Sequence, residues 1–276
     1  MNVLNIFTIF FYLISTAAYL FFLFIQKKRW EKAGQYFLTA GFVTHTAILV
    51  FGFISSGHMP VENLSETLSV SGWAVVCVFL LLQYKFDLKI LGVYAAPLAT
   101  LIMIAAFPLP KSAIQNPEVL KSFWLFFHIV FIFLGEAAFA LACGIGILYL
   151  LQERAIKRKR PGFFFRRLPS LDLLDTIGYV CILGGFTLMT VGLITGFVYA
   201  KTVWGKFWSA DPKEIWSIIT WLLYAALLHG RLMIGWRGRR SAVMAIVGFA
   251  VILFTFLGVN FLFEGHHEVF TRQQGL

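Results

Sequence analysis

Residues 123–151 read FWLFFHIVFIFLGEAAFALACGIGILYLL, twenty-nine residues in which Glu136 is the only full charge. A helix needs about 20 apolar residues to cross the hydrocarbon of a bilayer, so this stretch can span one with tilt to spare. The run is closed by QERAIKRKR at 152–160, a dense basic block. Working outward in both directions, the same alternation recurs. Runs at 3–25, 36–56, 68–84, 90–108, 123–151, 174–200, 214–234 and 241–263 give eight candidate spans. The third is short enough to tilt or to lie partly in the interface. Composition agrees: 59% of the 276 residues are hydrophobic and 13% charged, against about a quarter charged in a soluble domain. With 31 Phe, 8 Trp and 9 Tyr, the apolar surface exceeds what one aqueous core can hide. Intrinsic disorder and nucleic-acid-binding arms are excluded on the same grounds. The expected fold class is an all-α integral membrane protein, with residues 1–276 as a single polytopic membrane domain. The first span is too long for a signal-peptide core and lacks both a basic n-region and a clean cleavage site.

The net charge of +10 sits in short blocks between the spans. With eight alternating spans, one side receives seventeen Lys and Arg, in the blocks 27–32, 85–89, 154–167 and 231–240. The other side receives six: Lys111, Lys121, Lys201, Lys206, Lys213 and Arg272. The positive-inside rule makes the first side cytoplasmic and puts both termini outside. The expected location is the cell's inner (cytoplasmic) membrane, with the lipid bilayer and no nucleic acid as partner. Cys77, Cys143 and Cys181 all lie inside apolar runs with no CxxC pair, so buried thiols are expected rather than disulfides or a zinc site.

The tally fixes the depth of the histidines. His58, His128, His266 and His267 fall toward the outer side. His45, in mid-span, lies about 14 Å from the cytoplasmic end and His229 about 8 Å, at 1.5 Å rise per residue. Ionisable groups inside spans are expensive and default to a functional hypothesis. His229 has Ala225 and Ala226 one turn away, and His45 has Gly41 and Gly52 on its helix, leaving room for something flat. No Asp or Glu cluster surrounds either, so imidazole ligation of a haem iron suits the residue types better than a hydrolytic metal centre. For His45 a satisfied buried histidine is an equally good reading.

Between spans six and seven lies KTVWGKFWSADPKEIWSIITW, residues 201–221. Trp204, Phe207 and Trp208 read as an interfacial aromatic belt. Asp211, Pro212 and Glu214 read as a helix start. Neither reading requires Gly205 between the aromatics, nor outer histidines at the ends of neighbouring spans. A flat aromatic platform flanked by imidazoles suits a haem at the membrane surface.

These segments resemble the haem-handling proteins of cytochrome c assembly, the CcsA/ResC/CcmC group with its HemX-like relatives, and most closely the CcsA/ResC branch. WGKFWSADPKE (204–214) resembles the family's tryptophan-rich signature. SGHMPVENLSETLSVSGW (56–73), FFHIVFIFLGEAAFALACG (126–144), TWLLYAALLHGR (220–231) and GVNFLFEGHHEVF (258–270) resemble its other segments. The resemblance implies that His128, His229 and His267 take the family's histidine roles, with Trp204, Trp208 and Asp211 on the signature. Two departures stand out. Ala210 replaces a third tryptophan, and Gly135–Glu136 replaces Ser and Tyr. Glu136 could hold a proton, join a propionate-linked network, or pair with another polar group.

The resemblance implies a haem-transporting and haem-presenting membrane protein with haem b as cofactor. Haem would enter near His229, with His45 a candidate second ligand, and be held outside by His128 and His267 over Trp204 and Trp208. It would then be attached to the CxxCH segment of an apocytochrome c, making the chain a component of a cytochrome c haem lyase working with a CcsB/ResB-type partner. Two alternatives stay open: a HemX-like membrane regulator of haem biosynthesis, and a di-haem electron-transfer cytochrome pairing His45 with His229 and His128 with His267.

Overall fold

The computed structural model describes residues 2–109, 117–158, 162–163 and 165–258. Eight long helices follow one another: α1 (Asn2–Ile25), α2 (Lys28–Ser56), α3 (Leu64–Phe86), α4 (Gly92–Ala106), α5 (Phe123–Lys157), α6 (Leu171–Trp204), α7 (Pro212–Met233) and α8 (Arg239–Leu253). A 3-10 turn, Lys89–Leu91, leads into α4, and a π turn, Phe254–Gly258, follows α8. Counting those turns, all eight are long and apolar enough to cross a membrane. The chain is a multi-pass membrane protein, and no strand occurs among the described residues.

The helix ends explain where the spans differ from the apolar runs. The third is a full helix that starts at Leu64, four residues before the expected start, because Asn63 caps it: its side chain accepts from the Glu66 N–H at 3.0 Å. At the other end Asp87 takes a left-handed conformation (φ 52) that stops α3. Likewise α2 begins within the basic block at Lys28, and α5 continues through Gln152 and Glu153 to Lys157. Apolar length marks the hydrocarbon crossing, while polar residues carry the same helices into the headgroup region. The part of the eighth expected span beyond Gly258 lies outside the described residues.

Packing forms two halves joined through α5. In one, α1 packs on α2 and α4, and α3 on α4. In the other, α5 packs along α6 and against α8, with α7 against α6 and α8. The link is α3 on α5. Lipid tails are as apolar as the helices, so association relies on close packing, and α5 supplies small residues for it. At Gly135 the α6 backbone comes so close that a Cβ would stand 3.0 Å from the Gly185 carbonyl oxygen. Cys143 and Cys181 are buried, Cys77 is half-buried, and all three are free thiols.

Polar contacts gather the ends that carry the basic blocks. The Arg167 guanidinium donates to the Phe24 carbonyl at 3.1 Å. Lys89 pairs with buried Glu31 at 3.1 Å. Asp175 accepts both arms of Arg231, at 2.7 and 3.0 Å, and the Gly238 N–H at 2.7 Å. The seams α1/loop 5–6, α2/α4 and α6/α7/α8 are thus closed at one end of the bundle.

Candidate functional site

At the opposite end, α5, α6, α7 and the π turn enclose a cavity of about 170 Å³. That is room for a small aromatic ring, or for one edge of a larger planar ligand. Its walls are chiefly apolar, with Ile132, Phe133, Leu193 and Phe197 among them. Into this lining come His128 and Glu136 from α5, Trp204 from α6, and Lys213 and Ser217 from α7.

His128 is set by the α5/α6 contact. Its Nδ1 lies 2.7 Å from the Gly192 carbonyl oxygen, which only accepts, so Nδ1 carries the hydrogen and the ring's lone pair is on Nε2. Such a hydrogen bond to a backbone carbonyl is the usual way a metal-binding imidazole is oriented. The ring lies on Gly196, where a Cβ would fall 2.6 Å from Nδ1, so only glycine admits this approach. Trp204 closes the end of α6. It meets Tyr199 edge-on at 5.9 Å between centroids, and the Tyr199 hydroxyl donates to the Val119 carbonyl at 3.3 Å.

The loop to α7 is built by local hydrogen bonds. Gly205 ends α6 at φ 74. The Asp211 carboxylate accepts from the Lys213 N–H at 2.8 Å, while Glu214 accepts from the Ser209 and Asp211 N–H groups at 2.9 and 3.3 Å. This is a complete capping box with proline at the first turn. Ala210 holds φ 57, a left-handed conformation in which a bulky side chain is strained. Trp208 is outside the cavity, 44% exposed and edge-on to Phe197 at 6.1 Å. Trp204 thus lines the cavity and Trp208 does not.

The remaining histidines separate. His45 is fully buried between α1 and α3: Nδ1 lies 3.2 Å from the Tyr12 hydroxyl and Nε2 2.9 Å from the Ser69 hydroxyl. Both nitrogens are occupied, so this conformation has no lone pair to share with a metal at His229. The two partners come from residues 33 and 24 positions distant. His229 lies on the exposed stripe of α7 with Ile215, Ile219, Leu222, Ala226 and Met233, facing away from the other helices. His58 is buried, with Nδ1 on the Met59 carbonyl at 2.9 Å and Nε2 3.1 Å from Glu62. His266 and His267 lie outside the described residues. Sequence reasoning missed Lys213 as a cavity residue. Its signal was present as the polar spacing Lys213, Ser217, Thr220, at i, i+4 and i+7, but the capping motif had already explained the segment.

Against known proteins, the sequence profile of the family described as "Cytochrome C assembly protein" matches residues 61–267. The chain belongs to the cytochrome c assembly family. Among curated members it is 36% identical to the cytochrome c biogenesis protein CcsA of Guillardia theta over 245 residues, covering 82% of this chain and 81% of that one. It is 38% identical to the CcsA of Prochlorococcus marinus (strain MIT 9301) over 246 residues, covering 81% and 80%. Among solved structures, the cytochrome c haem lyase CcmF superposes on 98% of this chain with a TM-score of 0.66 at 17% identity. The chain spans 48% of that protein, and the likeness is one of fold. The family assignment fits the helix count and places the cavity within the matched region.

Proposed function

We propose that the chain acts in cytochrome c biogenesis as the haem-transporting and haem-presenting component of a cytochrome c haem lyase. The relatives named CcsA support this role. The observation that carries it is His128 lining the same cavity as Trp204, its Nδ1 oriented by the Gly192 carbonyl so that the neutral ring has its lone pair on Nε2.

These residues fit a haem. An apolar cavity with an aromatic edge receives part of a macrocycle, and an oriented imidazole is an iron ligand. When bound, haem supplies the vinyl groups that become thioethers on the cysteines of a CxxCH segment. The chain's own residues do the rest. His128 ligates and holds, Trp204 and the apolar walls keep out water, and the Asp211 cap fixes the loop that carries Trp204 and Trp208. His267 is proposed as the second outer ligand, His229 as a ligand of haem entering from the other side of the membrane, and haem b as the form handled. An exposed imidazole on a lipid-facing stripe is costly unless a ligand or partner covers it, which favours that role for His229. His45 fits a structural role better, since ligation would cost its bonds to Tyr12 and Ser69.

The partners proposed are a CcsB/ResB-type membrane protein and an apocytochrome c with its CxxCH segment. The orientation proposed puts residues 154–167 in the cytoplasm and the loop 201–213 outside. Purification of the full chain with haem tests the reading. Wild type is expected to retain a haem whose absorption spectrum changes in His128→Ala and recovers partly with added imidazole. A haem-free wild type, or a spectrum indifferent to His128, contradicts it.

A further inference from the structure

Lys213 and Glu136 bring an amine and a carboxyl group into one largely apolar cavity, from α7 and α5 respectively. An unpaired charge in such surroundings is expensive, so a pair of this kind ordinarily closes into a salt bridge or serves a ligand. Here it does not close. Among the described residues no carboxylate lies within 4.0 Å of the Lys213 ammonium, and neither Lys213 nor Glu136 makes a side-chain hydrogen bond. Of the acids next to Lys213 in sequence, Asp211 receives the Lys213 N–H, and Glu214, which also lines the cavity, receives the Ser209 and Asp211 N–H groups, so both are engaged in capping. The ammonium lies 5.9 Å from the centroid of the Phe256 ring. His128 and Trp204 line the same cavity, and together they favour a planar aromatic ligand.

We infer that Lys213 is the cavity's receptor for a carboxylate carried by a planar aromatic ligand, and that Glu136 is the counter-charge the ligand displaces. Glu136 offsets the ammonium while the cavity is empty, at a separation too large to lock it. An arriving carboxylate makes a direct charge-assisted hydrogen bond with Lys213 and meets repulsion from Glu136. The two residues therefore act with opposite sign on an anionic ligand, and neither distinguishes neutral ligands. This inference rests on the haem-presenting reading for its natural ligand, a porphyrin bearing carboxylates, but its chemistry is independent of iron.

The test uses the full chain in nanodiscs and two pairs of fluorescent ligands, each an acid with its neutral counterpart. Metal-free protoporphyrin IX is compared with its dimethyl ester, and pyrenebutyrate with pyrenebutanol. Wild type is expected to prefer the acid in each pair. Lys213→Gln should weaken the acids by about ten- to a hundredfold, the range for a hydrogen bond to a charged group, and leave the neutral ligands unchanged. Lys213→Arg should retain most of the acid preference, and Glu136→Gln should strengthen acid binding. A Lys213→Gln variant that weakens acid and neutral ligands alike, or neither, overturns the inference, as does weaker acid binding in Glu136→Gln. If porphyrins fail to bind wild type while pyrenebutyrate is discriminated as described, the haem reading fails and the carboxylate receptor stands. If protoporphyrin binds without discrimination, the receptor fails and the haem reading stands.

Discussion

The imidazole of His128 donates from Nδ1 to the carbonyl oxygen of Gly192 at 2.7 Å, across the α5/α6 seam. That one bond ties the imidazole proposed as an iron ligand to the packing of the two longest helices. Gly196, one turn along α6, provides the surface on which the ring rests. Gly196→Ala is accordingly expected to disturb the site without removing the ligand. A methyl group would collide with the ring, at an overpacking cost of about 1–3 kcal/mol. Thermal melting of the purified variant should fall, and its haem retention should fall with it. Full haem retention in Gly196→Ala would show that the ring position is unimportant.

The clamp at the other end is expected to be the strongest single polar contribution to the bundle. Asp175 accepts from both arms of Arg231 and from Gly238, joining α6, the end of α7 and the start of α8. Removing one partner of this part-buried pair leaves the other without its charge-assisted bonds, at about 1–3 kcal/mol. Asp175→Asn and Arg231→Met should each lower the melting temperature. The double variant should cost less than the sum of the two, as a double-mutant cycle would measure.

His45 and His229 should part in their behaviour. His45→Ala would strand the buried hydroxyl of Tyr12 and the half-buried one of Ser69 and cost about 1–3 kcal/mol of stability while leaving the haem spectrum as it was. His229→Ala should leave stability nearly unchanged and alter the spectrum of haem bound from the inner side. The reverse outcome would reassign the inner ligand to His45.

Cysteine-accessibility labelling checks the orientation. Single cysteines in 201–213 should react with an impermeant reagent from outside, and those in 154–158 only after the membrane is breached. Labelling of the 201–213 loop only from the cytoplasm would invert the proposed route of haem.

Much of this architecture was legible in the sequence. Apolar runs of about 20 residues have one stable solution in a bilayer, so eight of them gave eight helices, and Asp211, Pro212 and Glu214 gave a capping box. Local signals of this kind survive folding because they are satisfied within a turn or two. The site was less legible because its contacts are distant. Tyr12 and Ser69, which take both nitrogens of His45, are marked by nothing in the sequence near residue 45. Depth along the membrane normal suggested that His45 and His229 could meet, but depth says nothing about which helices are neighbours. Lys213 was hidden by the opposite fault. Its segment carried so clear a capping signal that a second role went unseen, although the backbone N–H of Lys213 serves the cap and its side chain lines the cavity.

Covalent haem on a CxxCH reporter tests the central claim most directly. The reporter is co-expressed with this chain and a CcsB/ResB-type partner. The account predicts covalent haem with wild type, loss of most of it in His128→Ala, and partial recovery with exogenous imidazole. Undiminished covalent haem in His128→Ala, or equal attachment when this chain is absent, would contradict it.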